Sequence, residues 1–320
     1  MPKSSRGKLS RHLVMDRWLD ILKDEPARMV DTPILHHYTD AFGVHGIVSS
    51  NCLWATATQF SNDLSEIDYA VSVAIEIIEE MWGSKKNMGP WEQLLAAHLA
   101  QLLATPLHTF GQPFIVSFCE DGDLLSQWRA YGHSSGFSLA FSPLRQDDKS
   151  QLICTDGFRT MVKRVVYNGE KQRARLRFIL RHLIQLVNGF SFATTSPTGA
   201  SAHIELSLLL ILELTDWACT VKHKAFSEEN EWRIITYPKG ATLVGTKPES
   251  YKGVSVRPTP KLLLPYMTLE PTSGKRLPLI EIRCGPSQFQ KQSARAMNIL
   301  LRNHGHAHVP VTLSGVPLRV

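Results

Sequence analysis

Apolar and polar positions along this chain follow two rhythms. Continuous apolar runs or two-residue alternation at 34–39, 52–55, 114–119, 137–141, 161–167, 231–237, 277–284 and 309–313 predict short strands. The run 114–119, Phe-Ile-Val-Ser-Phe-Cys, lies between Pro113 and the acidic residues 120–123, the pattern of a strand covered on both faces. Helical spacing fills the intervals. Asp40 is placed to cap a short helical turn through Val48, and Ile67, Ala70, Val71, Ala74, Ile75 and Ile78 recur at helical intervals after Ser61, Asn62 and Asp63. Further helical segments are predicted at 91–104, 124–131, 170–187 and 203 to about 219, and from Ser287 as N-cap to 303. The stretches 83–90, 189–202 and 240–260 are rich in turn-forming residues and predict loops. The order of elements predicts an α+β protein: a basic tail and short helix over 1–30, then one domain over 31–320 with helical insertions near 64–104 and 170–219.

Composition narrows this picture only slightly. The 320 residues, 43% hydrophobic, suffice for a sizeable core, and 35 basic against 29 acidic residues give a net charge of +6 that favours anionic partners. Five cysteines at scattered positions, Cys52, Cys119, Cys154, Cys219 and Cys284, form no Cys-x-x-Cys pair, so reduced thiols in a cytoplasmic protein are expected rather than a disulfide framework or structural zinc. The basic segment 1–15 is not followed by an apolar run of signal-peptide length, and the most apolar window, 204–214, is too short to span a bilayer. No membrane partner is expected.

Candidate chemistry gathers at three places: 37–39, the aromatic stretch from Trp128 to Gly136, and 229–233. In the last, strand alternation would send Glu229, Glu231 and Arg233 to one face. Three charges on one face either line a polar cleft or sit at a solvated sheet end with Arg233 neutralising a neighbour.

The motifs His37-Tyr38-Thr39, Leu53-Trp54 to Phe60-Ser61-Asn62-Asp63 with Glu66, Ser126-Gln127-Trp128-Arg129-Ala130-Tyr131 before Gly136-Phe137, Glu229-Asn230-Glu231-Trp232-Arg233 and Gly285-Pro286 together resemble the bacterial family catalogued as domain of unknown function two-nine-seven-one, from roughly residue 33 to the C-terminus. The layout is also similar to the ADP-ribosyltransferase superfamily, with its His, Tyr, Glu signature falling on His37, Tyr131 and Glu231. That resemblance implies an ADP-ribosyltransferase-like core of short, mostly antiparallel strands and a transferase that takes NAD as substrate, with no metal. The acceptor would be a protein or a nucleic acid, and a toxin or defence role would fit. Cleaving the nicotinamide–ribose bond develops oxocarbenium character, which the Glu231 carboxylate would stabilise. Glu229 would orient or deprotonate the acceptor. His37, Tyr38 and Thr39 would hold ribose or phosphate, Tyr131 or Trp128 would stack on nicotinamide, and Arg233 or Arg129 would meet the pyrophosphate.

Two other classes stay open. Asp63 and Glu66, three residues apart on one helical face, would suit a metal-dependent nuclease or hydrolase, although Asn62 and Asp63 also serve as helix caps. The arginines Arg173, Arg175, Arg177 and Arg181 would suit a non-enzymatic nucleic-acid or nucleotide-binding module. His304, His306 and His308 alternate as a transition-metal clip would, or as solvated side chains.

Overall fold

A computed structural model describes residues 32–60, 65–82, 93, 113–132, 136–144, 152–153, 157–188, 209–210, 212–239, 252–259, 262–271 and 275–317. The expected basic tail, the 91–104 helix, the 189–202 loop, and Asn62 and Asp63 lie outside the described residues, apart from Gln93.

The chain is α+β with a mostly antiparallel sheet. In order it forms β1 (Leu35–Thr39), α1 (Ala41–Ser50), β2 (Leu53–Ala57), α2 (Ser65–Trp82), β3 (Phe114–Cys119), α3 (Leu125–Tyr131), β4 (Phe137–Phe141), β5 (Leu152–Ile153), β6 (Gly157–Arg164), α4 (Gly169–Asn188), β7 (Glu231–Pro238), β8 (Ser255–Pro258), β9 (Leu263–Pro271), β10 (Leu279–Cys284), α5 (Gln290–Asn303) and β11 (Val311–Leu313). Among the strands of the described residues only β10 and β11 pair in parallel, with one further parallel bridge between Val166 and Val221. Asp40 caps α1 as expected, its carboxylate accepting from the Gly43 N–H at 2.8 Å. Ser287 does not cap α5. That helix opens at Phe289 without a side-chain cap, and the Ser287 hydroxyl has no hydrogen-bond partner.

The sheet divides at β3. Along one edge β3 pairs with β7 from Phe114↔Thr236 to Cys119↔Glu231, and β6 continues beyond β7. On the other edge β1 pairs at His36↔Cys119, while β2 pairs at Thr56↔Ile115 and Ala57↔Phe114. Between these contacts the edge of β3 is a fork. One wing runs β1, β4, β10, β11, and the other β2, β9 with the β8 hairpin. The β8 strand replaces part of the loop expected at 240–260, and β9 follows where no element was expected: Pro258, Pro265 and Pro271 punctuate the two, which hides strand character in the sequence and suits an edge hairpin.

Alternation sorts the two faces of the sheet. Leu35, Phe114, Val116, Phe118, Leu139, Trp232, Ile234 and Ile282 pack with α1 and α5 in the largest apolar cluster. On the opposite face of β7, Ile235 and Tyr237 pack with Met161. The helical insertions pack on each other: Ala70, Val73, Ala74 and Ile77 of α2 meet Leu176, Ile179, Leu180 and Leu183 of α4 and Trp217. The buried stripe of α2 is thus rotated from the one expected, and Ile75 stands 40% exposed. No helix among the described residues is long and apolar enough to cross a membrane.

His306 is neither solvated nor part of a clip. It is fully buried, and neither ring nitrogen has a hydrogen-bond partner among the described residues. Burial, then the positive charge of Arg276, pushes its pKa below 6.5. The unfolded chain therefore binds the extra proton first, so this stability is present above pH 6.5 and is lost as pH falls through the folded-state value. We expect wild-type stability, measured by urea denaturation, to fall between about pH 7.5 and pH 5.5. His306→Leu should flatten that fall; an unchanged slope would contradict the assignment.

Candidate functional site

The polar face of β7 begins at a change of direction. Lys224–Glu229 form a short 3-10 helix that ends at Asn230, whose φ of 41° is left-handed, and β7 starts at the next residue. Asparagine tolerates this conformation better than most side chains. Glu229 therefore does not share a strand face with Glu231, as alternation alone suggested. The turn folds it back so that both carboxylates reach the same ammonium: Lys222 Nζ lies 2.7 Å from Glu229 Oε2 and 3.2 Å from Glu231 Oε2.

Glu231 and Arg233, two residues apart on one face of β7, form the centre of a buried ion network. Arg233 Nε donates to Glu231 Oε1 at 2.7 Å, and a second guanidinium nitrogen donates to Glu231 Oε2 at 3.0 Å and to Glu66 Oε2 at 2.6 Å. The remaining terminal nitrogen donates to the Cys219 carbonyl at 2.8 Å. Lys222 also meets Glu66 Oε1 at 2.8 Å. Three carboxylates and two cations leave one net negative charge, held where Glu231 is 3% and Arg233 4% exposed.

The two carboxylates of the pair are driven in opposite directions. Burial would raise Glu231, but Arg233 first and then Lys222 hold its carboxyl down at about 2. Glu229 is raised above its ordinary value, mainly by burial, with Lys222 opposing and the charges of Glu231 and Glu66 adding. Tyr131, at the end of α3, looks into this cluster. Burial of its hydroxyl end, then the negative charge of Glu231, pushes it up to about 12, while the residue remains 36% exposed. Cys119, paired with Glu231 across β3 and β7, is also raised by burial and by both carboxylates.

The structure thus brings together Tyr131, Glu229, Glu231 and Arg233, but not His37. Alternation turns His37 with Leu35 toward the large apolar cluster, where its ring lies 5.7 Å from Phe118. Its Nδ1–H donates at 2.9 Å to the Ser117 carbonyl, which the fork would otherwise leave open. The Ser117 side chain bonds Glu231, so His37 and Glu231 are linked through one residue rather than facing one another. Thr39 pairs with Phe137 at the end of β1. Tyr38 and Trp128 are committed to packing. The Tyr38 hydroxyl donates to the Asp121 carbonyl at 2.9 Å and accepts from the Leu124 N–H at 2.8 Å, and its ring meets Trp128 edge-on at 4.7 Å. Trp128 is 3% exposed and donates to Asp123 Oδ1 at 2.9 Å. Arg129 is exposed on α3.

Sequence reasoning missed Lys222, which joins all three carboxylates, and gave Glu66 a different role. Both Glu66 oxygens are engaged by cations, so a metal there would have to displace two ion pairs. Three arginines of the basic helix have partners within the chain: Arg173 pairs at the surface with Glu76 and Glu80, Arg177 with Glu80, and Arg175 donates to Thr220 at 2.9 Å, while Arg181 is exposed. The only sequence signal for Lys222 was a polar run directly after an apolar helix.

Residues 127–234 match the model of a family described as protein of unknown function (DUF2971). The matched segment starts in α3 and ends in β7, so it contains Tyr131, Lys222, Glu229, Glu231 and Arg233 and excludes His37 and Glu66. No curated protein and no solved structure matches the chain.

Removing the guanidinium would leave Glu231 and Glu66 buried with one cation between them and Glu229. We expect Arg233→Ala to cost roughly 3–5 kcal/mol in urea unfolding. Arg233→Lys should recover only part of that, because an ammonium cannot bond both carboxylates in a fork. A loss well under 1 kcal/mol for Arg233→Ala would show that the network contributes little.

Proposed function

We propose that the chain is a transferase that breaks the nicotinamide–ribose bond of NAD and passes ADP-ribose to an acceptor nucleophile. The observation that carries this reading is the pair of carboxylates, seven and nine residues beyond one lysine, held in opposite protonation tendencies beside a partly exposed tyrosine. Neighbouring titratable groups pushed apart in this way divide into a fixed charge and a proton carrier.

Glu231 is the fixed charge. With its oxygens taken by Arg233, Lys222 and Ser117, it is a positioning residue whose negative field favours positive charge nearby. Glu229 is the proton carrier. Lys222 occupies Oε2, while Oε1 has no hydrogen-bond partner among the described residues. In the proposed reaction the ribose C1′–nicotinamide N bond breaks with its electron pair leaving on nicotinamide. The acceptor forms the new bond to C1′, and its proton passes to Glu229. Tyr131 supplies an aromatic surface at the mouth of the site for the nicotinamide ring.

This reading keeps Glu229 as the acid–base residue and Glu231 as the charge that favours the oxocarbenium, and leaves His37 out of the reacting centre. A protein or nucleic-acid acceptor remains part of it, as does a bacterial toxin or defence setting. The buried free thiols Cys52, Cys119, Cys219 and Cys284 fit the cytoplasm, where thiols stay reduced.

Incubating the protein with NAD labelled in the nicotinamide ring should release nicotinamide. Glu229→Gln should reduce that release by about 10²–10⁴-fold with the fold intact by circular dichroism. Activity in the wild type should rise with pH through the raised Glu229 ionisation, since the base must be deprotonated, and this limb should vanish in Glu229→Gln. Absence of nicotinamide release in the wild type, with and without protein or RNA acceptors, would overturn the proposal.

A further inference from the structure

One cation of the second wing is not used by the ion network. Arg257, on the β8 strand at the edge of the second wing, lies over the Trp54 ring with Cζ 5.1 Å from its centroid, and donates to the Thr56 hydroxyl at 3.2 Å. Trp54 is in turn held by Tyr266, ring centroids 5.5 Å apart, and by close approach of Gly46 from α1, where any side chain would collide with the indole. The guanidinium is therefore fixed in place on a rigid aromatic platform.

Its hydrogen bonding is incomplete. Arg257 Nε is buried and has no hydrogen-bond partner among the described residues. Among the described residues, no carboxylate forms an ion pair with it. Two groups that feel its charge come from the neighbouring β1–α1 corner. Asp40 lies within electrostatic reach, but one of its oxygens is bound to the Gly43 N–H. His37 is held neutral by burial, against the pull of its Ser117 bond, with Arg257 opposing its protonation. With Nδ1–H committed to Ser117, the neutral ring has only Nε2 left, and that atom is an acceptor. A part-buried guanidinium with an unpaired N–H and no counter-ion is costly unless an anion completes it.

We propose that Arg257, seated on Trp54 and Thr56, is the subsite for the diphosphate of a nucleotide that enters the fork between β1 and β2. The inference rests on the NAD reading for the choice of nucleotide, but not for the recognition of the anion. The position also suits that reading: Ser117, at the open edge of β3, connects the fork through its carbonyl to His37 and through its side chain to Glu231. A diphosphate at Arg257 would leave the attached ribose to extend along β3 toward the carboxylates.

ADP, which carries the diphosphate and lacks the nicotinamide end, separates the two proposals. Isothermal titration of the full chain with ADP should give saturable binding that inorganic pyrophosphate competes away and that weakens as salt rises. Arg257→Gln keeps a donor near Thr56 but loses the charge, and should weaken ADP binding roughly ten- to hundredfold. Arg257→Lys should recover part of it. Thermal melts of both variants establish that the fold persists. If ADP binds through Arg257 while NAD releases no nicotinamide, the transferase reading fails and the subsite stands. Should ADP fail to bind, or bind a folded Arg257→Gln variant with unchanged affinity, the subsite is overturned whatever happens to NAD.

Discussion

The contact between Glu231 and Arg233 sets the terms for the rest of the molecule. Two opposite charges two residues apart on the inner face of a buried strand cannot be solvated, so each must find every remaining partner inside the protein. Arg233 completes its set with Glu66 from α2 and the Cys219 carbonyl, and Glu231 completes its set with Lys222 and Ser117. Those partners belong to the helical insertion, the segment entering β7, and the central strand β3. Satisfying one ion pair thus fixes how the helical layer sits against the sheet.

The same requirement accounts for the contrast between the two carboxylates around Asn230. Glu231 lies on the strand side of the left-handed turn and is drawn fully into the network. Glu229 lies on the 3-10 side, shares only Lys222, and stays 18% exposed at its side chain. One backbone conformation separates a carboxylate used to hold charge in place from one able to exchange a proton.

Much of this architecture is legible in the sequence where local pattern decides it. The strands at β1, β3, β4, β7 and β10, the end of α5 and the Asp40 cap all follow from apolar periodicity and capping chemistry. What was not legible depends on distance or on turns. Glu66 meets Arg233 across 167 positions, so nothing local distinguishes an ion-pair partner from a metal ligand or a capping residue. His37 stands in a strand that reads correctly, yet its role comes from a carbonyl left open where the sheet divides, and a sheet division has no sequence pattern. The β8–β9 hairpin was hidden by its prolines, and with it Arg257. His306 was misjudged because its Gly305 neighbour suggested an exposed turn, whereas the turn directs the ring inward.

The fork also has a mechanical side. The first wing is attached to β3 through a single register pair, His36↔Cys119, and the second through two, while β7 grips β3 along its whole length. Load applied between the wings is therefore carried by few backbone hydrogen bonds, by α1, which bridges β1 to β2, by the imidazole of His37, and by the apolar side chains that both wings contribute to one cluster. β3 and β7 form a continuously paired spine, to which the wings are joined over one and two register pairs. A small rotation of one wing would change the width of the gap while the ion network behind the spine stays in register.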